Sequence, residues 1–204
     1  MIIEMRSYDL QPGTVHTVEE RFAEGMAHRS EFSKLAAFWH TEVGPLNRII
    51  HCWPYESLDE RARIREQAND GVHWPPKIQE FTVQQESKIL HPAPYSPPLG
   101  DKKLGNIYEI RTYTVRAGTI RDMVETWGKH LEERLKLSPL AAVWYSELGP
   151  LNQFIHIWPY ENMAERDRIR AESMKLSSWP PPSRQFLVKQ ENMIVVPSAF
   201  SPLH

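Results

Sequence analysis

Two alternating stretches hold most of the residues able to bind an anion or move a proton. In "IIEMRSYDL", residues 2–10, Glu4, Arg6 and Tyr8 fall at every second position, and in "NRIIHCWPY", residues 47–55, so do His51, Trp53 and Tyr55. Successive side chains of a strand point to opposite faces, so each trio shares one face. All six return 105 positions later as Glu109, Arg111, Tyr113, His156, Trp158 and Tyr160. An arginine can hold a carboxylate or an enolate, a histidine can move a proton near neutral pH, and aromatic walls can enclose an apolar body. His51 and His156 are therefore the candidate catalytic residues, and the other ten are candidates for ligand binding. A structural role suits the same set: Glu4 and Arg6 can pair so that a charged strand face is buried, and His51 can be a hydrogen-bonded core histidine.

The elements that must position these residues come as a duplicated module. Sliding the chain by 105 residues pairs Ile2–Pro98 with Ile107–Leu203 without a gap, and 40 of the 97 pairs are identical. That period is far longer than the roughly 20–50 residues of solenoid repeats, so each copy is expected to be a small domain. The domains are placed at 1–98 and 107–204, with a joint over 99–106.

Within each copy the hydrophobic period changes in a fixed order. The first strand leads through Gly13 and Thr14 into a helix carrying Val15, Val18, Phe22 and Met26 at helical spacing; Ile120, Met123, Trp127 and Leu131 repeat the stripe. Residues 35–55 read as a hairpin broken at Gly44-Pro45. Ser57 with Glu60, and Asn162 with Glu165, are capping boxes that open a second helix. "WPP" ends that helix, and "IQEFTVQQESKIL" supplies the last strand. The order β-α-β-β-α-β predicts an α+β fold of two ferredoxin-like modules, each an antiparallel sheet with helices on one face.

A sheet so covered leaves its other face bare, and a bare face is an association surface. If the open faces of the copies meet, the eight strands close a barrel within one chain. Ile3, Met5, Ile50 and Cys52 are then expected against the helices. Glu4, Arg6, Tyr8, His51, Trp53 and Tyr55 would face the barrel interior, as would their counterparts in the second copy. Trp53-Pro54-Tyr55 and Trp74-Pro75-Pro76 are expected to close the barrel ends, with Pro54 at a strand end or edge. Arg61, Arg63 and Arg65, repeated as Arg166, Arg168 and Arg170, are expected on a solvated helix face with ion pairs.

The composition limits the functional classes. The chain has 204 residues, 41% apolar and 25% charged, with a net charge of −2 and no like-charge block, so a nucleic-acid partner is not expected. The amino terminus places Glu4 and Arg6 among its apolar residues, unlike a signal peptide, and no run approaches a membrane span, so a cytoplasmic location is expected. Cys52 is the only cysteine, which excludes an internal disulfide and a cysteine-rich zinc site. Phosphate-cradling glycine loops, nucleophile elbows and zinc helices of the HExxH type do not occur. No cofactor and no metal are expected, although haem is compatible with His51 or His156 as a ligand. The full chain needs no partner to close its barrel, and higher homo-oligomers are compatible with it.

The order of elements, the segment "GPLNxxxHxWPYE" with its Arg-rich helix, and the later "WPP" resemble the NIPSNAP family of the dimeric α/β-barrel superfamily, once per copy. The resemblance implies a barrel of paired modules. Relatives with similar barrels include cofactor-free monooxygenases, small-molecule cyclases and isomerases, and haem enzymes, while eukaryotic members are linked to mitochondria and membrane traffic. The expected function is binding of a small apolar or aromatic acid in the barrel, with a cofactor-free transformation of monooxygenase or isomerase type. The alternative is a non-catalytic module that contacts a protein or membrane. A cavity lined by Arg6, His51 and Trp53 would favour the first, and a filled barrel with an exposed apolar outer patch the second.

Overall fold

Alternation at residues 2–10 produces the first strand, β1 (Ile2–Leu10), in the computed structural model, which describes residues 1–204. The first copy continues with α1 (Val15–Ser30), β2 (Ala37–Val43), β3 (Arg48–Tyr55), α2 (Leu58–Ala68) and β4 (Thr82–Pro92). The second contains β5 (Ile107–Val115), α3 (Ile120–Gly128), α4 (Leu131–Leu135), β6 (Ala142–Leu148), β7 (Gln153–Tyr160), α5 (Met163–Ser173) and β8 (Leu187–Pro197). Both capping boxes form. The Ser57 hydroxyl accepts from the Glu60 N–H at 3.1 Å while the Glu60 carboxylate accepts from the Glu56 N–H at 2.6 Å, and Asn162 and Glu165 do the same.

One expected helix is two. The stripe from Ile120 to Leu131 breaks after Gly128, where Tyr95, from the tail of the first copy, donates its hydroxyl to the Val124 carbonyl at 2.9 Å. A Cβ on Gly128 would lie 2.8 Å from the Tyr95 ring, so only glycine admits this contact. The first copy has Ala23 there, and α1 runs on unbroken.

The eight strands form one closed antiparallel barrel in the order β1-β3-β2-β8-β5-β7-β6-β4. The copies are joined by backbone hydrogen bonds at two seams, β2 with β8 and β4 with β6. Arg6 stands directly opposite His51 on neighbouring strands, and Arg111 opposite His156. Pro54 sits opposite Ile3, beyond the last residue of β3 that pairs with β2, which is the expected strand end.

The faces of the strands are the reverse of the expectation. Ile3, Met5, Ile50 and Cys52 point into the barrel, where they pack with Trp39, Tyr108, Ile110, Trp144, Ile155 and Ile157 from both copies. Tyr8, Trp53 and Tyr55 instead pack with Val18 and Phe22 of α1 and Ile64 of α2, so Glu4, Arg6, Tyr8, His51, Trp53 and Tyr55 all face the helices. In the second copy Tyr113, Trp158 and Tyr160 join Met123, Trp127 and Ile169, which puts Glu109, Arg111 and His156 on the helix side too. Charge accounts for the choice. An eight-stranded barrel has an interior just wide enough for side chains to fill, and the cation on the inward face of β4, Lys88, is paired with Glu86. The helix side supplies Arg61 and Arg65. A buried carboxylate goes where its partners are.

Candidate functional site

Each copy contains a cavity between its sheet and its helices with a corresponding set of residues on its wall, of ≈ 430 Å³ in the first and ≈ 600 Å³ in the second. Strand alternation brings Arg6, Tyr8, His51, Trp53 and Tyr55 to the wall of the first, and Arg111, Tyr113, His156, Trp158 and Tyr160 to the wall of the second. Glu4 and Glu109 do not line the space. They lie behind it, fully buried, and hold the arginines in place. The tryptophan-proline segments wall these cavities through Trp74, Pro75 and Pro76, and through Trp179, Pro180 and Pro181, and do not plug the barrel ends.

Glu4 gathers cations. Its Oε1 accepts from Arg6 Nη1 at 2.8 Å, from Arg61 Nη2 at 2.5 Å and from the Ser87 hydroxyl at 2.8 Å, while Arg65 stands 3.9 Å from Oε2. Burial alone would raise the carboxyl pKa, but the Arg61 hydrogen bond, the Arg6 charge and the Ser87 hydroxyl hold it at about 2. Glu109 is built alike, with Arg111 at 2.9 Å, Arg166 at 2.6 Å and Asn192 at 3.1 Å. Arg6 then donates its Nε to the Tyr8 hydroxyl at 2.7 Å, and Arg111 to Tyr113 at 3.0 Å. Arg61 is thus turned inward onto Glu4, while Arg65, 41% exposed, reaches Glu4 only at 3.9 Å and Arg63 lies beside Gln67, so the solvated face expected of the three arginines is kept by Arg63 and Arg65.

The histidines are fixed as neutral donors. Trp53 Nε1 donates to His51 Nδ1 at 2.6 Å, and Trp158 Nε1 to His156 Nδ1 at 2.7 Å. With Nδ1 accepting, the neutral ring carries its proton on Nε2, which has no hydrogen-bond partner in either copy. Burial, then the Arg6 charge, push the His51 pKa down to about 3; burial and Arg111 drive His156 well below its ordinary value. The imidazoles are therefore uncharged at neutral pH, with a donor N–H and no free lone pair.

Arg29 of α1 was not singled out by the sequence reading, although it continues the Val18, Phe22, Met26 stripe onto the buried face. It is 2% exposed and forms no salt bridge. Its Nη1 donates to the Ser33 hydroxyl at 2.7 Å and its Nη2 to the Tyr55 hydroxyl at 3.0 Å, with the guanidinium 4.3 Å over the Trp53 ring. Arg134 repeats this with Ser138 at 2.8 Å and the Trp158 ring at 4.0 Å. Both guanidiniums line their cavities, as do Arg65 and Arg170. The salt bridges of Arg6, Arg61 and Arg65 all end on the single carboxylate of Glu4, which leaves Arg29 at the cavity wall with none. Such a site can take an anion against the guanidiniums and an apolar or aromatic body against the wall that Trp53 and Trp74 form together.

Residues 3–97 and 108–202 each match the family model for NIPSNAP. The chain belongs to the NIPSNAP family. A NipSnap homologue from Dictyostelium discoideum is 30% identical over 183 residues, covering 87% of this chain and 78% of that protein. Human NipSnap homolog 3A is 27% identical over 217 residues, covering 98% of this chain and 85% of its own. The tandem NIPSNAP barrel also superposes on the crystal structure of a proposed monooxygenase from Lactobacillus acidophilus, with a TM-score of 0.67, 10% identity and 96% of this chain covered against 93% of that one. At that identity the likeness is one of fold. No helix of this NIPSNAP protein is long and apolar enough to cross a membrane.

Proposed function

We propose that each copy binds a small aromatic or apolar carboxylic acid on the helix side of its sheet, with the carboxylate on Arg6 and Arg29, or on Arg111 and Arg134. The observation that carries this reading is the buried Arg29 guanidinium without a carboxylate partner. A cation held out of water costs several kcal/mol unless a counter-charge offsets it, and here the cavity beside it is where an anion fits. His51 would add a hydrogen bond from Nε2–H to a ligand oxygen. As a neutral ring with Nδ1 engaged, it suits polarising or positioning a bound acid better than withdrawing a proton, so binding is the core of the proposal.

The apolar side chains packed inside the barrel support reading the cavities between sheet and helices, and not the barrel interior, as the ligand space. The filled barrel, together with hairpin tips that leave Leu46 65% and Leu151 62% exposed, supports a second reading as a protein- or membrane-contact module. The deciding experiment is mass spectrometry of small molecules released from the purified protein, with melting curves against a panel of aromatic and keto acids. Binding of two acid molecules per chain is expected. A panel without any shift, and a protein that releases no organic acid, would favour the contact module.

A further inference from the structure

We propose that His28, Asp70 and His73 form a site for a divalent transition-metal ion of the zinc type, present in the first copy alone. His28 lies on α1, and Asp70 and His73 lie in the loop after α2, so no local sequence motif announces the set. One ligand atom from each comes within 4.8 Å of the other two. Asp70 Oδ2 is 2.7 Å from His73 Nδ1 and 3.6 Å from His28 Nε2. Ligands on a tetrahedral zinc ion with bonds of about 2.0–2.2 Å stand roughly 3.3–3.6 Å apart, so small side-chain rotations open the space an ion needs.

The backbone around the cluster holds it ready. Asp70 Oδ1 accepts from the N–H groups of Val72, His73 and Trp74 at 3.0, 2.8 and 3.1 Å, which fixes the carboxylate and leaves Oδ2 for the imidazoles. Gly25, one turn before His28, lets the loop approach the helix: a Cβ there would meet the His73 carbonyl at 2.9 Å. His28 Nε2 also lies 3.1 Å from the Ala68 carbonyl, an oxygen available beside an ion. Two imidazoles and one carboxylate suit zinc, cobalt or nickel, and differ from the all-oxygen shells that magnesium and calcium prefer. The corresponding positions of the second copy are Glu133, Lys175 and Ser178, a set with a cation in place of the central carboxylate. The ion would tie α1 to the segment carrying Trp74, a wall of the first cavity.

The test is titration of the untagged full-length protein with Co²⁺, followed by visible absorption, and with Zn²⁺ by calorimetry. One equivalent is expected, with ligand-field bands that Zn²⁺ abolishes. His28→Ala and His73→Ala should each weaken binding at least ten-fold. Asp70→Asn should do so as well while keeping the loop's backbone acceptor, and His16→Gln, at another histidine–carboxylate contact, should leave binding unchanged. Melting curves confirm that each variant is folded. Binding that survives either histidine substitution, or a signal that fails to saturate at one equivalent, overturns the site.

Discussion

Replacing Arg29 by Met separates a cation kept for a ligand from one kept for the fold. In the free protein the guanidinium has hydrogen bonds to Ser33 and Tyr55 and a place over Trp53. Hydrogen bonds to a charged group contribute about 1.5 kcal/mol each, and a desolvated cation–π contact about 2 kcal/mol. Against these roughly 5 kcal/mol stands a desolvation cost of several kcal/mol for a buried ion without a counter-charge. The terms nearly cancel, so Arg29→Met should change the unfolding free energy by no more than about 1.5 kcal/mol in either direction. Glu4→Gln is the contrast. It leaves Arg6 and Arg61 facing a neutral group, with Arg65 close by, and should cost about 3–5 kcal/mol. Urea unfolding measures both. With an acid ligand found in the panel, Arg29→Met should reduce the stoichiometry from two sites to one, its own site losing about 30-fold or more in affinity, or at least 2 kcal/mol. An Arg29→Met protein destabilised as much as Glu4→Gln, with two sites still filled, would refute this account of the arginine.

Acid should unfold the protein through its histidines. His51 titrates near 3 when folded and near 6.5 when unfolded, so below pH 6.5 the unfolded chain takes up the proton first and stability falls, by about 1.4 kcal/mol per pH unit for each such histidine. Glu4, held at about 2, adds to the loss below its unfolded pKa of 4.5. His51→Asn, which keeps an acceptor for Trp53, should flatten the slope between pH 6 and 5, and a parent protein equally stable at pH 7 and 5 would contradict the assignment. The second cavity carries Arg184 at its rim where the first has Gln79, so Gln79→Arg should improve binding of a dicarboxylate at the first site by about three- to five-fold, the scale of an exposed ion pair; calorimetry showing no gain would count against charge as the selector. Residues 1–98 alone should dimerise or aggregate, because β2 and β4 lose their seam partners and the Ile3, Met5 and Cys52 face is bared; a stable monomer in sedimentation would overturn this.

The order of elements, the caps and the closed barrel were legible because each depends on local period and on the repeat itself. The facing of the strands was not. Alternation reports that Ile3 and Glu4 lie on opposite sides, but here both sides are buried, and the choice is made by Arg61 and Arg65 arriving from α2. Arg29 did leave a signal: a charged residue at the next position of an apolar helical stripe, repeated at Arg134. The break after Gly128 left none within its own helix, since it depends on Tyr95, which comes from the other copy's tail. His28 and Asp70 are likewise joined only by the docking of a loop on Gly25.

Closure of the barrel across two seams has a consequence for how such a protein can change. In a pair of separate identical modules every substitution appears twice, and a ligand pocket cannot be altered on one side only. Fusion through residues 99–106 frees the halves to drift apart while the shared interior keeps them together. The positions facing α1 and the outer loops show that drift, with Gln79 against Arg184 and Asp70 against Lys175. Arg6, His51 and Trp53, with their partners 105 residues on, show none. One polypeptide can in this way keep two copies of one chemical core and offer them to different molecules.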